Sequence, residues 1–120
     1  MLSLRTIETE DIYQEYLKVR DKSICPLCRE LKEAEYIREF EYWAIIPNKY
    51  PYDAVMEIHD MLVCKRHVDL EGNLTVNEAK DLADIKQEIM SDEDYDMIQE
   101  NVVKRRTVLP HFHIHLMKFI

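Results

Sequence analysis

The last eleven residues, Pro110-His111-Phe112-His113-Ile114-His115-Leu116-Met117-Lys118-Phe119-Ile120, constrain the fold more than any other stretch. In an extended strand successive side chains point to opposite faces. His111, His113 and His115 therefore share one face, and Phe112, Ile114 and Leu116 share the other. Such a strand needs a hydrophobic core behind it, and it then presents a row of imidazoles. At roughly 3.4 Å rise per residue, His111 and His115 lie about 13 Å apart along the strand. Zinc holds nitrogen ligands at about 2.0 Å, so one ion does not reach both ends of the row. The three rings must have different jobs. An ordinary half-buried strand with a polar outer face is the plain alternative. Perfect alternation of His111, His113 and His115 in a chain with only five histidines argues against it.

The rest of the chain is expected to support that strand. Its 120 residues, 47% of them hydrophobic, suffice for one domain with a real core. No run of about 18 apolar residues is present, and none is expected to span a membrane. The start, Met1-Leu2-Ser3-Leu4-Arg5-Thr6-Ile7-Glu8, has neither the basic beginning nor the apolar centre of a secretory leader. Three cysteines, two of them spaced C-x-x-C, do not resemble a secreted disulfide framework. The expected location is cytoplasmic. A net charge of −8 disfavours non-specific binding to nucleic acid or anionic membrane. The charge is uneven, however: Lys65-Arg66 precedes His67, and Lys104-Arg105-Arg106 precedes the histidine row, which suggests a local field attractive to phosphate. The lone glycine, Gly72, excludes a glycine-rich phosphate loop.

Apolar spacing predicts a helix over residues 8–21, with Ile12, Tyr16 and Val19 as its stripe, Tyr13 and Leu17 widening it, and Thr9 as cap. Its expected role is packing alone. Cys25-Pro26-Leu27-Cys28 follows as a turn with three competing readings: a redox pair, two buried structural thiols, or half of a zinc site. The third finds candidate partners in His67 and His111. Residues 34–40 and 42–47 read as a hairpin, 48–53 as a loop, and 54–64 as a longer strand holding His59. Thr75-Val76-Asn77-Glu78 has capping-box spacing and opens a helix with Ala79, Leu82, Ile85 and Ile89 on its apolar face and solvated charges elsewhere. The acidic run at Ser91-Asp92-Glu93-Asp94 lacks the spacing and glycine of a calcium loop. Residues 95–103 fit a strand or a helix. The sum is an α+β domain on a mainly antiparallel sheet.

His111-Phe112-His113-Ile114-His115-Leu116-Met117 resembles the H-φ-H-φ-H-φ-φ signature of the histidine-triad (HIT) superfamily of nucleotide hydrolases and transferases. Upstream, His59 followed by a short strand and Cys64-Lys65-Arg66-His67 resembles that family's Pro-Lys-x-His segment, with Cys64 in place of proline. Cys25-Pro26-Leu27-Cys28 resembles the C-x-x-C of its zinc-containing branches. The resemblance covers about residues 24–120 and implies a HIT-like α+β domain there. It has a sheet of about five strands with one main helix packed on it, preceded by a helical extension over 1–23.

It further implies a structural zinc on Cys25, Cys28, His67 and His111. His113 would be the nucleophile at an α-phosphorus, and His115 the ligand of phosphate or departing group. His59 would line the same pocket. His115 if protonated, with Arg105 or Arg106, would supply positive charge. The family's segment before the triad usually carries glycine and Gln-Ser. Residues 101–110 have no glycine, and Asn101, Arg106 and Thr107 are the candidate phosphate contacts. The implied substrate is a dinucleoside polyphosphate, a nucleoside phosphoramidate or a similar conjugate, handled by a homodimer. The competing reading is a zinc-stabilised module that binds nucleotide or a protein partner without turnover.

Overall fold

Strands β3 (Met56–Cys64) and β5 (His113–Phe119) form the centre of the protein, paired antiparallel with Met61 opposite His115 and Val63 opposite His113. The computed structural model describes residues 3–102 and 110–120. Outside this pair lie β2 (Trp43–Pro47) and β1 (Arg38–Glu39) on one side and β4 (Met97–Gln99) on the other. The sheet order is β1-β2-β3-β5-β4, and every neighbour pair is antiparallel. Both faces of the central strands are covered, which explains why β2 and the second half of β3, Met61 to Cys64, are apolar throughout instead of alternating.

One face carries Trp43, Ile45, Leu62, Cys64, Phe112, Ile114 and Leu116, packed against Leu82, Ile85 and Ile89 of helix α3 (Val76–Met90). Burying each large aliphatic chain there stabilises the fold by about 1.5–3 kcal/mol. The indole N–H of Trp43 donates to the Glu78 carbonyl at 3.0 Å, so the largest core side chain keeps no unpaired polar atom. The other face carries Ile46, Met61 and Val63 under Leu27 of helix α2 (Pro26–Glu33). By register this is also the histidine face.

Several expectations change in detail. The C-x-x-C turn is the start of α2: the Cys25 sulfur caps the Cys28 amide at 3.5 Å, and Pro26 occupies the first turn, where its missing N–H costs nothing. The first strand shrinks to two residues. The capping box forms as expected, but Ala79 is exposed, and Glu78 is 3% exposed instead of solvated. Arg66 reaches Glu78 with two bonds, 3.0 and 2.8 Å, and holds its carboxyl down to about 2. The residues 95–103 stretch resolves into β4, with residues 103–109 outside the described residues.

The N-terminal helix α1 (Ile7–Val19) starts one residue earlier than predicted, and its cap is Thr6, which accepts from the Thr9 amide at 3.3 Å. It has no buried residue, and Ile12 and Val19, expected in its packing stripe, are 61% and 80% exposed. The helix instead turns Tyr13 and Tyr16 onto Tyr50, both with ring centroids 5.1 Å away. Asp53 fastens the start of the helix to the β2–β3 loop: its carboxylate accepts from the Thr6 amide at 2.9 Å and the Thr9 hydroxyl at 2.6 Å.

Candidate functional site

Two centres lie along the histidine face, one at each end of the row. At the first, Cys25 and Cys28 from the start of α2 meet His67 from the turn after β3 and His111 from the approach to β5. Their ligand atoms lie within 4.8 Å of one another. The His111 Nδ1 is 3.4 Å from both sulfurs, and the His67 Nδ1 is 3.2 Å from the Cys28 sulfur. A tetrahedral ion with two sulfur and two nitrogen ligands has S···N edges of about 3.6 Å, close to these separations. The His111 tautomer is fixed from behind, because its Nε2–H donates to the Cys64 carbonyl at 2.8 Å. That turns the Nδ1 lone pair toward the sulfurs, as a ligating histidine requires. Burial and the adjacent Cys25 sulfur push the Cys28 thiol up to about 11. A coordinated cation is the group that reverses such a shift. The four residues can hold a metal ion, and by donor set and spacing they fit the group that the sequence suggested.

At the other end, His113 and His115 sit 8% and 5% exposed, their ring centroids 5.1 Å apart. The His113 Nδ1 lies 2.8 Å from the His111 carbonyl. A carbonyl only accepts, so the proton is on Nδ1 and the lone pair on Nε2. A similar argument runs through His59. The Tyr52 amide donates to the His59 Nδ1 at 3.0 Å, which places the His59 proton on Nε2. That nitrogen donates to the His115 Nδ1 at 2.8 Å, and the His115 proton is then on Nε2. The Asn48 amide nitrogen, 3.2 Å from the same His59 Nε2, meets a donor with a donor and adds no bond. The His115 Nε2–H is buried with no partner among the described residues. A buried donor without an acceptor is costly and marks a place where a ligand oxygen fits.

Burial pushes the His115 imidazolium down to about 3 and that of His59 to about 4, with Arg5 adding to both. Both rings are neutral at pH 7, so His115 presents a neutral N–H to the pocket. His59 stands one layer behind His115, 5% exposed, and orients it.

The cavity over His113 and His115 is walled by Tyr50, Tyr52 and Asn101, and by Arg5, Tyr13 and Tyr16 of the N-terminal segment. Asn101 is thus at the pocket, and Gln99 donates to its side-chain oxygen at 2.9 Å. Arg105, Arg106 and Thr107 lie outside the described residues. The other basic cluster does not face phosphate: Lys65 pairs with Glu39 at 2.7 Å, and Arg66 clamps Glu78. Arg5, Arg29 and Lys49 face the cavity instead, with Glu30 bound to Lys49 at 2.8 Å. Sequence reasoning missed Arg5, Tyr13 and Tyr16 as site residues. Nothing local links Arg5 to Tyr50, whose carbonyl accepts from its Nε at 2.8 Å. No helix among the described residues is long and apolar enough to cross a membrane.

No protein-family model and no curated protein matches the chain. Solved structures do. A HIT family hydrolase from Clostridium thermocellum superposes with a TM-score of 0.61 over 80% of this chain and 90% of its own, at 20% identity. A hypothetical histidine triad nucleotide-binding protein from Sulfolobus tokodaii gives 0.61 over 78% of this chain and 68% of its own, also at 20% identity. A histidine triad protein from Clostridium difficile gives 0.59 over 83% and 93%, at 16% identity. At these identities the likeness is one of backbone, and the chain has the HIT-like α+β fold.

Proposed function

We propose that the chain is a histidine-triad nucleotide hydrolase or nucleotidyl transferase in which His113 attacks an α-phosphorus. The observation that carries this reading is the 2.8 Å contact between the His113 Nδ1 and the His111 carbonyl, which leaves the Nε2 lone pair as nucleophile. In the first step that lone pair forms an N–P bond. The bond from phosphorus to the bridging oxygen or nitrogen breaks, its electron pair leaves with the departing group, and that group takes up a proton. The imidazolium left on His113 keeps its Nδ1–H on the carbonyl. The buried His115 Nε2–H is available to a phosphate oxygen as charge develops there. In the second step a water oxygen attacks phosphorus, the N–P bond breaks, its pair returns to His113, and a nucleoside monophosphate is released. Another acceptor in place of water makes the same chemistry a transfer.

The nucleotide class is supported by the HIT-like fold, by a solved neighbour described as a histidine triad nucleotide-binding protein, and by the cations at the cavity. In the same reading Cys25, Cys28, His67 and His111 hold zinc, which when bound ties the start of α2 to the two ends that meet beside Cys64. Residues 24–120 form the HIT-like domain and 1–23 an extension. The resemblance adds a homodimer in the cytoplasm.

The test is turnover on dinucleoside polyphosphates and nucleoside phosphoramidates, comparing wild type with His113→Ala. The expected result is monophosphate release that falls by at least about 10³-fold in the variant. Release that persists unchanged in His113→Ala would overturn the mechanism. Binding without any turnover would favour the non-catalytic module.

A further inference from the structure

The imidazole set to meet the phosphate, His115, is buried with its N–H turned to the pocket, and phosphoryl chemistry needs positive charge beside such a donor. His59 and His115 are both neutral at pH 7. The catalytic face therefore has to take its cation from elsewhere, and the described residues offer three around the cavity. Lys49 is paired with Glu30, and Arg29 is exposed at the rim on α2. Arg5 differs from both. Its side chain is 17% exposed, and its Nε is anchored on the Tyr50 carbonyl at 2.8 Å. The guanidinium carbon lies over two rings, 4.1 Å from the Tyr13 centroid and 5.0 Å from that of Tyr52. Tyr52 in turn stacks on His115, centroids 6.2 Å apart, and its amide orients His59.

The Arg5 group is therefore fixed at the His115 end of the row. Its contact with Glu10 is long, 3.4 Å, and its Nη2 donates to none of the described residues. A guanidinium held by its Nε, with an N–H edge left over, is a preorganised phosphate ligand. The segment that carries it is latched in turn: the Ala54 amide donates to the Leu4 carbonyl at 3.1 Å, and Asp53 holds Thr6 and Thr9.

We propose that the N-terminal segment completes the triad pocket, with Arg5 as the cation that holds the substrate's phosphate beside the His115 Nε2–H. The inference rests on the nucleotide reading and adds to it a residue from outside the triad strands. Arg5 supplements the segment before the triad, residues 101–110, which carries no glycine in this chain. It also gives α1, which buries no side chain of its own, a reason to dock: the helix positions the residue that precedes it.

The experiment measures binding of AMP and of adenosine to full-length wild type, Arg5→Gln and Arg5→Lys, at two salt concentrations, with turnover recorded in parallel. Arg5→Gln is expected to weaken AMP about tenfold or more, to flatten the salt dependence of AMP binding, and to change adenosine less than about twofold. Arg5→Lys is expected to recover part of the AMP affinity, because it restores the charge without the fork. A purely structural Arg5 would make Gln and Lys equally poor and would weaken adenosine as much as AMP, which overturns the proposal. So does AMP binding that is absent in wild type or unchanged in Arg5→Gln. The two readings separate cleanly. Turnover that needs His113 but ignores Arg5 defeats only this one, whereas Arg5-dependent AMP binding without turnover defeats only the hydrolase.

Discussion

The His59 Nε2 lies 2.8 Å from the His115 Nδ1, and the proton between them belongs to His59, because the Tyr52 amide already occupies the other His59 nitrogen. One backbone N–H thus determines which face of a ring two steps away donates. His59→Ala is expected to lower kcat by about 10²-fold while leaving the midpoint of nucleotide binding within a few-fold, since His115 then samples both tautomers. Steady-state kinetics on whichever substrate is turned over provide the check. An unchanged kcat would remove the relay.

Acid should weaken the fold in two overlapping windows. For His59 and His115 the folded pKa values, about 4 and 3, lie below the ordinary value of 6.5. The unfolded chain then binds more protons, so their contribution is complete above about pH 6.5 and is lost as the pH falls toward 3. Glu78, held down to about 2 by Arg66, contributes fully above its ordinary 4.5 and loses that contribution as the pH falls toward 2. Melting curves from pH 7.5 to 3 should show Tm falling throughout, and His115→Asn should flatten the upper part of the fall. Arg66→Gln should flatten only the lower part.

Removal of metal should loosen one corner without dissolving the sheet. Cys25 caps α2 and Cys28 lies in its first turn, His67 follows β3 and His111 leads into β5, so a bound ion would tie the start of α2 to the paired ends of β3 and β5. Elemental analysis is expected to find one zinc per chain, absent from Cys28→Ser. Chelation is expected to lower Tm by about 10 °C or more. A chain that is metal-free as purified and melts identically with chelator would contradict the assignment.

The Arg66–Glu78 clamp is expected to matter for stability and not for turnover. Glu78 also closes the α3 capping box and accepts weakly from the Cys64 thiol at 3.5 Å. Glu78→Ala should cost about 2 kcal/mol, discounted from the usual cost of breaking a buried pair because Arg66 is half exposed. In urea the midpoint should fall with an unchanged slope, and kcat should not move.

What could be read from sequence was whatever the chain states locally. The alternation from His111 onward announces a strand with one histidine face, although β5 itself begins at His113, and Thr75 with Glu78 announces a helix start, because backbone periodicity and capping are short-range effects. The start of α2 was read as a turn because a cysteine cap is a weaker signal than a serine or aspartate one. The face of α1 was misjudged for a different reason. Ile12 and Val19 make a sound apolar stripe, but the helix docks on a loop through Tyr13 and Tyr16, and periodicity does not say what a helix will meet. Arg5 was illegible altogether, since its partner Tyr50 and its neighbour Tyr52 are brought to it only by the fold. Lys65 and Arg66 misled in the opposite sense, their charges being answered by Glu39 and Glu78.

His111 belongs to both centres at once: its ring faces the two sulfurs, and its carbonyl accepts a hydrogen bond from the His113 Nδ1–H. The peptide that carries this carbonyl belongs to a residue whose side chain joins the group able to hold a metal ion. On the proposed reading, a replacement at position 111 is therefore a double perturbation, removing a metal ligand and disturbing the seat of the nucleophile in a single stroke. Chelation of the unaltered chain, compared with His67→Ala, is the pair of measurements that isolates the first effect. Any additional loss in His111→Ala is then the share of catalysis carried by the main chain.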